Sequence, residues 1–124
     1  MTKSKGQLEA DISEALIKFE KEYMGRGPEQ TKTYIIGDMV VVRLQRVLTP
    51  AEQQLAGASD EMKGRTLIKQ VRTELLEKAR PLLERIITDL TGKSVKSLHT
   101  DISTVTGERI IVFTLSDSLR NSDQ

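Results

Sequence analysis

The sequence predicts a single α+β domain in which two helix-then-hairpin units, in the order α-β-β-α-α-β-β, give a four-stranded antiparallel sheet packed with two or three helices. Three observations predict it. Apolar residues recur every three or four positions in two stretches, each stretch is followed by two short β-rich runs joined by a glycine turn, and 124 residues suffice for one core. The domain is placed at residues 1–115, with a polar, frayed tail over 116–124.

From Lys5 to about Met24, Leu8, Ile12, Ala15, Leu16, Phe19 and Tyr23 line one side of an amphipathic helix, and Gly25-Arg26-Gly27-Pro28 ends it. Strands are expected at Lys32 to Ile36 and Met39 to Leu44, joined by Gly37-Asp38, a pair suited to a tight hairpin turn with glycine first. In Leu48-Thr49-Pro50-Ala51-Glu52, Thr49 can cap a short helix, Pro50 suits its first position and Glu52 can reach back to the cap. A longer helix should start at Ser59 or Asp60 and run to about Leu90, before Gly92. Its apolar stripe is read as Leu67, Ile68, Val71, Leu75, Ala79, Leu82, Leu83, Ile86, Ile87 and Leu90, with a kink or a break into two helices near Pro81. Strands at Val95 to Ile102 and Arg109 to Leu115, joined by a turn at Thr106-Gly107-Glu108, complete the pattern.

Composition narrows the function classes. There is no cysteine, so disulfides and thiolate metal sites are excluded, and a cytoplasmic address is the default. No stretch approaches the ~20 apolar residues of a membrane span, and the first residues lack the apolar core of a signal peptide. Nineteen basic residues against 18 acidic ones provide no global field for nucleic acid, and two Tyr and two Phe offer few stacking platforms. The balance favours protein partners. The charged residues of the long helix, Lys63, Arg65, Lys69, Arg72, Lys78, Arg80 and Arg85 among acidic neighbours, read as a solvated face.

Alternation along the strands says most about function. Val40, Val42, Leu44, Leu98, Ile102, Ile111, Phe113 and Leu115 can point together at the helices. The opposite parity gives Met39, Val41 and Arg43, then Val95, Ser97, His99 and Asp101, then Ile110, Val112 and Thr114. That face is too apolar for a solvated sheet, which favours cover by another subunit; the alternative is helices on both faces. Met39, Val41, Ile110 and Val112 are the candidate interface. Ser97, His99 and Asp101 imitate a hydrolase triad, but same-face neighbours on a strand stand roughly 7 Å apart, too far for the contacts a triad needs. No catalytic residue is therefore assigned. Asp101 is expected to accept from Arg43 or a turn amide, and His99 to lie half-buried at a contact. One histidine without cysteine falls short of a metal ligand set, and no cofactor is expected. Arg26, in its glycine-rich turn, could meet an anion, although a helix stop is the simpler reading.

Taken together, Gly25-Arg26-Gly27-Pro28, Tyr34 to Val42, Leu48-Thr49-Pro50-Ala51-Glu52, Ser97 to Ser103, Thr106-Gly107-Glu108-Arg109 and Val112 to Leu115 resemble the MpsC-like family of small bacterial proteins, over Gly6 to Leu115. One departure is Arg46, where relatives often carry glycine. The resemblance implies a link to a bacterial system that generates membrane potential by cation translocation, coupled in some organisms to inorganic-carbon supply, and it implies no catalytic residues. A chain without a span cannot itself carry an ion across a bilayer. The expectation is a non-enzymatic cytoplasmic accessory subunit, peripheral to the inner face of the membrane, dimeric or a larger homo-oligomer, in contact with membrane subunits. The rival is a sensor or enzyme that holds a bicarbonate-like anion between Arg43, His99 and Asp101.

Overall fold

In the computed structural model, which describes residues 3–57 and 61–119, the first apolar stripe becomes helix α1 (Lys5–Tyr23). The Ser4 hydroxyl caps it by accepting the Gln7 N–H at 3.1 Å. Ile12, Leu16 and Phe19 are buried on its inner face. The first hairpin pairs β1 (Gln30–Ile36) with β2 (Met39–Gln45), and Gly37 supplies the positive φ of 60° that its two-residue turn requires. Helix α2 (Pro50–Ala56) carries the expected capping box between Thr49 and Glu52.

Helix α3 (Glu61–Thr91) continues through Pro81 as one helix. The proline faces solvent, where water can meet the Glu77 carbonyl that it leaves without an amide partner. The expected cap at Ser59 or Asp60 lies outside the described residues. Helices α2 and α3 approach so closely at Gly64 that a Cβ there would stand 2.2 Å from the Leu55 carbonyl oxygen. The second hairpin joins β3 (Val95–Ile102) to β4 (Arg109–Leu115).

All four strands form one antiparallel sheet in the order β1-β2-β4-β3, so the two hairpins share a sheet through β2 and β4. Val40, Val42, Leu44, Ile111, Phe113 and Leu115 are buried on one face, as the alternation predicts. Burying each contributes about 1.5–3 kcal/mol. Helix α1 also shields the outer edge of β1: the Glu9 carboxylate accepts the Ile35 N–H at 2.8 Å, and Ser13 and Thr33 share a hydroxyl hydrogen bond of 2.7 Å. Of the segment after β4, Ser116 and Leu119 are held by hydrogen bonds to the Ser94 and Gly37 carbonyls, and Leu119 packs on the core; residues 120–124 lie outside the described residues.

Three placements correct the sequence reading. On α3 the buried line is Ile68, Arg72, Leu76, Ala79, Leu83 and Ile87, whereas Leu67, Val71, Leu75 and Leu82 are exposed. Arg72 thus belongs to the interior and not to a solvated face. A bulge between Val95 and Ser97 turns Val95 to the core side opposite Leu115, where strict alternation had put it on the other face.

Candidate functional site

The face of the sheet turned away from the core is a grid of three rows, fixed by strand register. Lys32, Arg43, Ile110 and Asp101 form the first row; Tyr34, Val41, Val112 and His99 the second; Ile36, Met39, Thr114 and Ser97 the third. Tyr34, Ile36 and Ile110 are exposed, Ile36 by 57 %, and Met39, Val41 and Val112 are half-buried by their neighbours in the grid. The described helices all lie on the other side, so the apolar middle of this grid carries no cover among the described residues.

The polar residues of the grid do not assemble into a site. Arg43 donates through Nε and Nη2 to Glu108 Oε2, at 3.1 and 2.6 Å. Asp101 accepts instead from Lys69 Nζ at 3.2 Å and from the Ile102 amide at 2.8 Å. The Ile102 amide first, then Lys69, holds its carboxyl below the usual range. Of the two partners expected for Asp101, Arg43 or a turn amide, Arg43 is not the one, because Ile110 of β4 stands between them in the row, and a backbone amide is, that of Ile102 at the end of β3. His99 is exposed within the single chain. Among the described residues no hydrogen bond joins Ser97, His99 and Asp101, in keeping with their spacing along β3. No group of three or more His, Cys, Asp or Glu side chains among those residues could hold a metal ion.

Charge collects instead in two places, the first passed over by sequence reasoning and the second anticipated only at Arg26. The first is internal. Glu20 of α1, Arg72 of α3 and Arg109 of β4 are 0 %, 3 % and 2 % exposed, with Glu20 Oε1 3.7 Å from Arg72 Nη1 and Oε2 3.8 Å from Arg109 Nε. Arg72 also grips Glu52 of α2 through two short bonds of 2.8 and 2.7 Å and donates to the Val47 carbonyl at 3.0 Å. Burial pushes the Glu20 carboxyl up, against the pull of Arg109 and Arg72. Burial pushes Arg109 down, against Glu20. For Glu52, burial alone would raise the carboxyl, but the Arg72 hydrogen bonds and the Thr49 amide together bring it below its ordinary value. The signal was present: Ile12, Leu16 and Glu20 are spaced by four, as are Ile68, Arg72 and Leu76, so each charge stands in line with a buried row. This cluster ties three helices to the sheet, and such a geometry serves architecture.

The second place is a cleft of about 560 Å³ at one end of the sheet. Arg26 and Glu29 enter it from the α1–β1 connection, Arg46 and Leu48 from the segment after β2, Arg65 from α3, and Thr104 to Gly107 from the β3–β4 turn. Arg46 stands at φ 58°, the only non-glycine residue with a positive φ among those described.

A family profile described as Na+-translocating membrane potential-generating system (MpsC) matches residues 4–117. The chain belongs to the MpsC family. An uncharacterized protein, YbcI of Bacillus subtilis (strain 168), is 45 % identical over 122 residues, covering 98 % of this chain and 96 % of that one. No solved structure matches the chain. The MpsC description concerns a membrane system, and among the described residues no helix is long and apolar enough to cross a membrane. Three of the segments that carry the MpsC resemblance, around Arg26, Leu48 and Thr106-Gly107, meet at the cleft.

Proposed function

We propose that the chain is a non-enzymatic accessory or regulatory subunit of a cation-translocating, membrane-potential-generating system, and that it works as a homodimer joined through the outer sheet face. The observation that carries this reading is the uncovered apolar grid centred on Val41 and Val112. A second copy fits it in charge as well as polarity. The first row runs from Lys32 and Arg43 at one side to Asp101 at the other. A twofold axis along the strands places the β1 side of one copy over the β3 side of the next, so Lys32 faces Asp101 and Tyr34 faces His99. The apolar middles then bury each other. The helix layer remains outward, where it can meet membrane components on the cytoplasmic side.

Sedimentation tests the dimer and affinity purification tests the role. Val41→Asp with Val112→Asp should convert a dimer to a folded monomer, because two carboxylates per copy would face an apolar contact. An unchanged oligomer, or a wild type that is already monomeric, overturns the arrangement. Purification from gently solubilised native membranes should recover a membrane subunit of the system; recovery of soluble enzymes alone would refute the accessory role.

A further inference from the structure

The 31-residue helix α3 buries one line of side chains and leaves a second, aliphatic line outside. Leu67, Val71, Leu75 and Leu82 are spaced by four, four and seven residues, so they stand above one another along one exposed face. Single exposed aliphatic residues are ordinary on a protein surface, but a continuous row of them marks a contact. Beside the C-terminal half of the row, α1 and α3 leave an open groove of about 350 Å³, where Phe19 and Tyr23 of α1 meet Leu82 and Ile86 of α3, with Lys18 and Glu22 at its border. This surface belongs to the helix layer and shares no residue with the sheet grid.

Charges flank the row in an order that is its own complement. Lys63, Glu74, Lys78 and Asp89 are exposed on α3, and among the described residues none of the four has a hydrogen bond or ion pair. A twofold axis across the helix, level with Leu76, sets residues equally distant from it opposite one another in an antiparallel pair. Glu74 and Lys78 lie two residues to either side of Leu76, and Lys63 and Asp89 thirteen. Glu74 therefore faces the partner's Lys78, and Lys63 the partner's Asp89, each pairing occurring twice. Within one residue of that register Val71 meets the partner's Leu82 and Leu67 the partner's Ile86, so the row of one copy enters the groove of the other. Arg85 falls opposite the partner's Leu67, where its aliphatic stem can cover that side chain. Parallel pairing would instead set each charge beside its own kind.

We propose that α3 is a second self-association surface, which joins copies of this chain as an antiparallel helix pair. One helix and its groove make a narrower contact than the sheet grid, so the pair forms at higher protein concentration than the sheet-face dimer. Two twofold surfaces on one chain carry assembly beyond the dimer. The α3 pair does not rest on the sheet-face arrangement, and it stands or falls apart from it.

Sedimentation equilibrium of the Val41→Asp, Val112→Asp chain isolates the α3 contact. That chain, a monomer when dilute, should form dimers above about 100 µM, as a small contact does. Adding Val71→Asp should weaken the association at least about tenfold, since a carboxylate would enter an apolar contact. Adding Glu74→Lys or Lys78→Glu should each weaken it by about threefold to tenfold, because two ion pairs become two like-charge pairs. An equimolar mixture of those two chains should recover the association of the parent, because the all-basic pair of one then faces the all-acidic pair of the other. Misfolding could not produce that recovery. A parent chain that stays monomeric to about 1 mM, unchanged association with Val71→Asp, or a mixture no stronger than its components would each overturn the proposal. If the sheet-face variant associates as the wild type does, the same α3 substitutions are read on it unchanged, so failure of the sheet-face dimer and failure of the α3 pair remain distinct.

Discussion

Glu20, Glu52, Arg72 and Arg109 come from four different elements, and their proton equilibria act on stability in opposite directions. The folded Glu52 carboxyl titrates below its ordinary value of 4.5. As pH falls, the unfolded chain takes up that proton first, so the stabilisation from Glu52 is present above 4.5 and lost as pH drops through the depressed folded value. Glu20 is raised by burial, so its contribution is complete below 4.5 and is lost as pH rises through its folded value. Glu52→Gln should therefore do two things. It should lower stability at neutral pH by about 1–3 kcal/mol, since Arg72 loses a charged, two-pronged partner inside the protein. It should also make the fall in stability between about pH 5 and pH 3 shallower than in wild type. Urea unfolding across that range measures both, and an unaltered acid slope would show that Glu52 is not coupled to folding.

On α3, two parallel lines of aliphatic residues compete for the core, and the one that wins contains an arginine. Ile68, Leu76, Ala79 and Leu83 are buried with Arg72 among them, while Leu67, Val71, Leu75 and Leu82 stay exposed, Val71 by 53 %. Leu76→Ala should cost about 2–5 kcal/mol, and Leu75→Ala, one residue away, less than about 0.5–1 kcal/mol. Equal losses in thermal or denaturant unfolding would mean that the helix is rotated from this placement. The pair also shows where the sequence was readable. Strand alternation located Val40, Val42, Ile111 and Phe113 because a period of two leaves only two faces to choose between. Helical periodicity could not choose between adjacent lines when both are aliphatic, and it set Arg72 aside because its burial depends on Glu20 and Glu52, which are distant in sequence. The grid residues Val41, Ile110 and Val112 were legible from the same alternation, whereas the Val95 bulge has no period. The cleft was legible only in part: Arg26 stood out in its glycine-rich turn, but its meeting with Arg46 and Arg65 depends on how three separate segments come together.

With every described helix on one side of the sheet, the other face is bare among the described residues, and a cleft lies at one end of the strands. The edge of β1 is shielded by Glu9 and Ser13, so two copies would meet face to face and not by continuing the sheet across β1. Val41 and Val112 lie in the middle row of the grid, whereas Arg26 and Arg46 sit in connections beyond the strand ends. The two surfaces should therefore fail separately. The Val41→Asp, Val112→Asp chain should sediment as a monomer. Arg46→Gly should sediment as the wild type does. A monomeric Arg46→Gly chain would mean that the connections beyond the strand ends take part in the contact, which would replace the face-to-face arrangement by one that includes the cleft.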